Sequence, residues 1–223
     1  MRKILVSVMV ISLACALIGG GIYAVFSESE DSTGTSWTTG TLNLIPTVSG
    51  TGPGGKYTVT PGGDGLNGYV VFTNLAPGDS GSVTWTLENE GSLDGTLTMA
   101  SDVTFDENGS NEPEDAVAGN NGGGNGDLDE YMGVRLERGA TYILGSATNY
   151  VPFSELEAVL DAESESLTAS GTLVYVLEWE IASDVEGAGL DSLFGTADDV
   201  AEDDNIIQSD KATLDITFTL TQS

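Results

Sequence analysis

The chain has 223 residues, and its six Lys or Arg stand against 35 Asp or Glu, which gives a formal net charge of -29. Such an excess of negative charge repels nucleic acids and anionic lipid headgroups and attracts cations, so nucleic acid is excluded as a partner. The sequence contains no histidine and a single cysteine, Cys15. Histidine-based catalytic triads and histidine zinc sites are therefore excluded as well.

The N-terminus has the pattern of an export signal. The basic start "MRK" is followed by an apolar run at 4–18 and by "GGGIYA" at 19–24. A short basic segment, an apolar segment and a small residue are typical of a cleaved leader. We therefore predict a signal peptide over 1–24, cleaved between Ala24 and Val25.

An uncleaved membrane helix is the alternative, because residues 4–26 are long enough to span a bilayer. The three consecutive glycines favour the leader, since each lowers the stability of a helix by about 1 kcal/mol. We expect a secreted protein, located outside the cell or at its surface, that contacts the membrane only before cleavage.

Beyond the leader, short alternating runs of apolar and polar residues predict β-strands. "SVTWTLEN" places Val83, Trp85 and Leu87 on one face, which is the pattern of a strand with one buried side. The strands are predicted over 39–46, 56–60, 68–75, 81–91, 95–105, 131–139, 167–182 and 211–222. A single helix is predicted over 152–164, with Ser154 as its cap and Glu157 as the partner in a capping box. The fold class is therefore all-β, a β-sandwich with a short helical insertion.

Two acidic, glycine-rich loops interrupt the predicted sandwich. The insertion at 106–130 contains a glycosylation sequon at Asn108, which is expected on an exposed loop of a secreted chain. The insertion at 183–205 contains Asp191, Asp198 and Asp199 around a glycine turn. Carboxylates on one flexible loop suit calcium, so these three are candidate calcium ligands, with a solvated acidic loop as the alternative.

Three segments carry a resemblance to a known family. "GGGIYAVFSESEDSTGTSWTTGTLNL" (19–44) resembles the N-terminus of the TasA/camelysin (CalY) family, whose leaders are cut by a SipW-type signal peptidase. "NLAPGDSGSVTWTLENEGSLDGTLTM" (74–99) resembles the central PGD segment and the N-x-G-S-L turn of that family. "DKATLDITFTLTQ" (210–222) resembles its last strand. The two acidic insertions fall outside the resemblance.

The resemblance implies a jelly-roll-like β-sandwich over 39–223 that assembles into extracellular filaments or biofilm matrix. In such assemblies an N-terminal segment completes the sheet of a neighbouring subunit. Here the connector at 25–38 would be that donor strand, with Val25, Phe26 and Trp37 as its apolar anchors. A strand added to an open sheet edge propagates head to tail and forms a filament. Partners would be other copies of the chain, a related minor subunit and the SipW-type peptidase.

Other classes of function stay open beside this one. The connector can also pair within its own subunit, and the chain can be a monomeric surface adhesion module. A camelysin-like metallo-endopeptidase is the third class, and the residue types argue against it. Without histidine or a mature cysteine only carboxylates remain, and these favour calcium or magnesium over zinc. We therefore predict that the protein is not an enzyme. Trp85 and Trp179 are predicted to lie in the core rather than to stack on a sugar.

Overall fold

The computed structural model describes residues 40–107, 127–182, 186–187, 200–201, 207 and 210–222. The strands in chain order are β1 (Leu44–Thr51), β2 (Tyr57–Thr60), β3 (Asn67–Thr73), β4 (Ser80–Asn89), β5 (Gly95–Glu107), β6 (Met132–Arg138), β7 (Thr141–Leu144), β8 (Val151–Pro152), β9 (Ser164–Leu167), β10 (Thr172–Ile181), β11 (Glu186–Gly187), β12 (Val200–Ala201) and β13 (Asp210–Gln222). The helical elements are α1 (Leu128–Tyr131), a 3-10 turn (Phe153–Glu155) and α2 (Leu156–Ala162).

These strands form two antiparallel sheets and a small separate pair. The first sheet has the order β1-β4-β10-β6-β7, with β8 paired to β6. The second sheet has the order β2-β3-β13-β5-β9, and β11 pairs with β12. The long strands alternate between the sheets along the chain, from β3 to β4, β5 and β6 and later from β10 to β13. The all-β sandwich predicted from the sequence is confirmed, and this alternation is the jelly-roll-like arrangement.

The core lies between the inner faces of the two sheets. Phe72 of the second sheet meets Trp179 of the first edge to face, with 5.4 Å between ring centroids. Trp85 and Phe218 make a second ring contact between the sheets, in a tilted arrangement with 6.4 Å between centroids. The two tryptophans are 3% and 0% exposed, so the prediction that they lie in the core is confirmed. Burying such rings contributes the largest apolar areas to the sandwich.

The helical insertion is present, but its predicted capping box is wrong. Ser154 lies inside the 3-10 turn, and α2 begins after Glu155, which makes no side-chain capping bond. The carboxylate of Glu157 instead accepts a hydrogen bond from the backbone N–H of Val103. Glu157 therefore bonds to β5 in the tertiary structure, whereas the local sequence pattern predicted that it would cap the helix.

Element boundaries also differ from the predicted ones. β1 runs over Leu44–Thr51 rather than 39–46, because Pro46 and Gly50 obscure its alternation. Both ends of the predicted insertion at 106–130 belong to regular elements, namely β5 and α1. Leu128 is fully buried, and its packing against the core explains why a polar segment ends in a helix. β7, β8 and β9, which have four residues or fewer, were not predicted.

Candidate assembly surface

The residues predicted to act in cleavage, assembly, metal binding and glycosylation lie outside the described part of the chain. These residues are Ala24, Val25, Phe26, Trp37, Asn108, Asp191, Asp198 and Asp199. They stay predictions. The surface that the structure can assess is the sandwich that would receive a donor strand, and in particular its sheet edges.

β1 is an edge strand that pairs on one side with β4. The antiparallel pairing with the β4 segment extends to the residue before β1, because the Glu90 N–H donates a hydrogen bond to Asn43 O at 2.8 Å. In an antiparallel ladder hydrogen-bonded and non-hydrogen-bonded pairs alternate. Ile45, Thr47, Ser49 and Thr51 therefore direct their backbone groups toward β4.

The intervening residues of β1 direct their backbone groups away from β4. These are Leu44, Pro46 and Val48, whose side chains point toward the core side of the strand, and Gly50. Pro46 lacks an N–H and stands at one of these outward positions, where a proline removes no bond from the β1–β4 ladder. The outward edge of β1 thus offers three N–H and four C=O groups, counted among its own residues. That is the hydrogen-bonding pattern that an added strand requires.

β1 lies beside β2 of the other sheet, and small residues allow the approach. A Cβ on Gly50 would lie 2.6 Å from Cε2 of Tyr57, so any larger residue would displace the Tyr57 ring from its present position. The Tyr57 ring in turn contacts Trp179 at 6.3 Å. The edge strands β1 and β2 of the two sheets therefore lie close together. The outward backbone groups of β1 nevertheless have no strand partner among the described residues.

The opposite edge of the sandwich, along β5, is covered. β9 pairs with the first part of β5, from Gly95 to Thr98. Beyond β9, the backbone N–H of Ser101 donates to Asp161 Oδ1 at 2.7 Å, and that of Val103 donates to Glu157 Oε2 at 3.4 Å. The two carboxylates are four residues apart, so they lie on one face of α2. α2 thereby replaces a neighbouring strand along this part of β5.

A second network ties the end of α2 to the first sheet. Arg138 binds Glu163 at 2.8 Å and also pairs with Glu165. The Tyr175 hydroxyl donates to Glu163 Oε2 at 3.0 Å. Burial, followed by the negative charge of Glu163, raises the pKa of Tyr175 well above its ordinary value of 10.0. The bond to Glu163 raises the pKa of Arg138, so this ion pair persists at any physiological pH.

The two central motifs of the resemblance have structural roles. In the PGD motif, Asp79 Oδ2 accepts from Lys56 Nζ at 2.6 Å and from the N–H of Ala76 at 2.7 Å. In the N-x-G-S-L motif, the side chain of Asn89 is fully buried, and its Nδ2 donates to Leu93 O at 2.8 Å and to Thr168 O at 3.2 Å. Both motifs therefore hold turns of the sandwich in place.

All four basic residues after the leader are paired with carboxylates. Lys56, Arg135, Arg138 and Lys211 each have a carboxylate oxygen within 3.0 Å. The rest of the charge is negative, so two sandwiches approaching each other repel unless salt or cations screen them. Backbone hydrogen bonds at a strand edge need no charged side chain, which suits contact between such acidic subunits.

The described residues contain no group of three or more His, Cys, Asp or Glu that could hold a metal ion. Within the same ranges, no helix combines the length and the hydropathy of a membrane span.

The described residues form an all-β sandwich whose first strand, β1, begins at Leu44, shortly after the connector, and has no strand partner on its outward side within that part of the chain. Residues 1–51 match the family model described as camelysin metallo-endopeptidase. The match ends at the last residue of β1 and confirms the resemblance to the TasA/camelysin family over the N-terminal part of the chain. No curated protein and no solved structure matches the chain. Peptidase activity appears here only in the description of the family. That this chain is not an enzyme therefore stays a prediction.

Sequence reasoning did not identify the contrast between the two edges. It recognised the helix but not its role, although Glu157 and Asp161 at a spacing of four residues marked one polar face of α2. For β1, the proline inside an alternating run is the usual sign of an edge strand. That sign was present in the sequence at Pro46.

Proposed function

We propose that the protein is a secreted structural subunit that assembles into extracellular filaments or biofilm matrix. In this proposal the SipW-type signal peptidase releases the connector at 25–38, and each connector adds a strand to the sandwich of the next copy. A related minor subunit with the same edge could start or end the filament. Release of the connector from the membrane anchor would then act as the switch for assembly.

The observation that carries the proposal is the outward edge of β1, which has no strand partner among the described residues. Three features support it: the edge follows the connector in sequence, its outward backbone groups take no part in the pairing with β4, and the family match over residues 1–51 includes all of β1. Because donor and acceptor are different parts of one chain, the contact is head to tail and does not close. Among the described residues, β1 is the longest strand at a sheet edge, with eight residues against four in each of β2, β7 and β9.

Val48 allows a test that separates the edge from the fold. Val48→Pro removes an outward N–H of β1 without removing a bond of the β1–β4 ladder, and Val48→Ala removes a similar part of the packing while it keeps the N–H. We expect negative-stain microscopy to show filaments for Val48→Ala and monomers for Val48→Pro, with both variants folded by circular dichroism. Equal filament formation by the two variants would refute the β1 edge as the acceptor. Filaments formed after deletion of Val25–Ser36 would refute the connector as the donor.

Calcium is the proposed cofactor, bound by Asp191, Asp198 and Asp199. The proposal rests on the concentration of carboxylates at 183–205 and on the net charge of -29. Millimolar calcium should then raise the melting temperature more than sodium chloride of equal ionic strength, since bound calcium stabilises the folded state by mass action. An equal shift from both salts would reduce the effect to screening of charge.

The alternative is a monomeric surface adhesion module. Persistent monomers of the wild-type protein, with and without calcium, would favour it.

A further inference from the structure

A shallow depression lies on the outer face of the second sheet, away from the β1 edge. Asn67, Ala100, Asp102, Asp215 and Thr217 line it together with Ser101. The strand register places these residues, except Ser101, in two adjacent rows, and it adds Tyr69 at the border of the depression. Tyr69, Asp215 and Asp102 form one row across β3, β13 and β5, and Asn67, Thr217 and Ala100 form the next. We call these six residues the Tyr69 face.

Tyr69 is the apolar element of this face. Its side chain is 41% exposed, whereas the large hydrophobic residues of the core are almost fully buried. Asp215 lies directly opposite it on β13, so an accessible aromatic ring stands beside a carboxylate. A flat ring next to hydrogen-bonding groups is the arrangement in which Tyr contributes both contact area and orientation to a ligand.

The polar groups of the face include both acceptors and a donor. Asp102 and Asp215 face each other on neighbouring strands, and no hydrogen bond or ion pair to another described residue is recorded for either. The Thr217 hydroxyl donates to Asn67 Oδ1, so the Asn67 amide NH₂ is a donor that this bond does not use. Ala100 leaves space in the second row, because its side chain is a single methyl group. Two carboxylate acceptors, an amide donor and a ring fit a molecule rich in hydroxyl groups that also has an apolar side.

Two like charges opposite each other on neighbouring strands destabilise a sheet. The Asp102–Asp215 pair therefore costs stability, and none of the four described basic residues offsets it, since each is paired with another carboxylate. Hydroxyl groups donating to both carboxylates would lower this cost. An acidic ligand would raise it, and the net charge of -29 disfavours such a ligand further.

We propose that the Tyr69 face binds a polysaccharide built from sugars without acidic groups. One pyranose ring lies against the Tyr69 ring, its hydroxyl groups donate to Asp102 and Asp215, and Asn67 donates to a sugar oxygen. The site is independent of strand addition, because it lies on the second sheet while β1 belongs to the first.

The test measures binding and stability of the same variants. Purified protein is run through native gels that contain dextran, mannan or a soluble β-glucan, with alginate as the acidic comparison. We expect at least one neutral polysaccharide to retard the protein and alginate to have no effect. Tyr69→Ala should weaken the retardation at least tenfold. Thr96→Ala, on the same sheet face but in a distant row, should leave it unchanged.

Asp102→Asn distinguishes a binding role from a structural one. It removes the like-charge contact, so its melting temperature should rise while its polysaccharide affinity falls. A merely structural aspartate would show loss of stability and unchanged binding, which would overturn the proposal. So would the absence of binding to all three neutral polysaccharides. Calorimetric binding of calcium that disappears in Asp102→Asn, without any polysaccharide binding, would identify a cation site instead and also overturn it.

Discussion

The edge along β1 and the edge along β5 differ in whether another part of the chain covers their backbone groups. Along β1 the outward backbone groups have no strand beside them among the described residues, and Pro46 lies where it costs the ladder nothing. Along β5 the same kinds of group are covered by β9 and by the carboxylates of α2. An uncovered edge invites pairing with another chain. The contrast teaches that this fold can cover the edge of one long strand, β5, from within the chain while β1 keeps its outward backbone groups free of any described strand.

The largest effect on stability is expected at Phe153, which anchors the segment leading into α2 to the core. Phe153 is fully buried and meets Phe72 and Phe105 edge to face at 5.7 and 5.5 Å. Phe153→Ala should lower the free energy of unfolding by about 3–5 kcal/mol, measured by urea titration. Because Phe153 opens the segment that leads into α2, the variant should also self-associate through an uncovered β5 edge.

Leu44→Ala on the open side is the matched control for Phe153→Ala. Leu44 is 2% exposed, and its loss should cost about 2–5 kcal/mol. It leaves α2 in place, so size-exclusion chromatography should show no new association. Equal association of both variants would mean that lost stability, not the exposed β5 edge, causes it.

A smaller effect is expected from the bond that holds α2 on β5. Asp161 accepts from the N–H of Ser101 at 2.7 Å and from its hydroxyl at 2.8 Å. Asp161→Ala should lower the free energy of unfolding by about 1–2 kcal/mol, although alanine favours the helix itself. Asp161→Asn keeps an oxygen acceptor and should recover part of the loss. A neutral effect of Asp161→Ala would show that α2 does not seal this edge.

The smallest effect at neutral pH concerns Tyr175, which ties the end of α2 to the first sheet. Its pKa is raised in the folded state, so its contribution is complete below the unfolded value of 10.0 and is lost as the pH rises above it. Between pH 10 and 11 the free energy of unfolding should fall by up to about 1.4 kcal/mol per pH unit from this residue. Tyr175→Phe should flatten that dependence and cost about 1 kcal/mol at pH 7. Urea titrations at a series of pH values measure both, and an unchanged slope in the variant would contradict the assignment.

Much of the sandwich could be predicted from local pattern. Val83, Trp85 and Leu87 alternate with polar neighbours, and they are buried as that alternation requires. The same holds for Leu214, Ile216, Phe218 and Leu220 of β13. β1 was placed several residues too early, because a proline and a glycine interrupt the pattern that strand prediction uses. The assembly, calcium and glycosylation residues lie outside the described chain, so their roles rest on the sequence and the resemblance.

The sequence by itself determined which faces of the strands are buried, since that depends on side chains two residues apart in one segment. It also determined the leader pattern and the acidity of the surface, which depend on composition. The tertiary structure alone decided which edges are open and which rows cross the sheets. Those properties depend on pairing between residues far apart in the chain, such as Ser101 with Asp161 and Asp102 with Asp215. No local pattern encodes a partner at that distance, because the partner is selected by the packing of the whole sandwich.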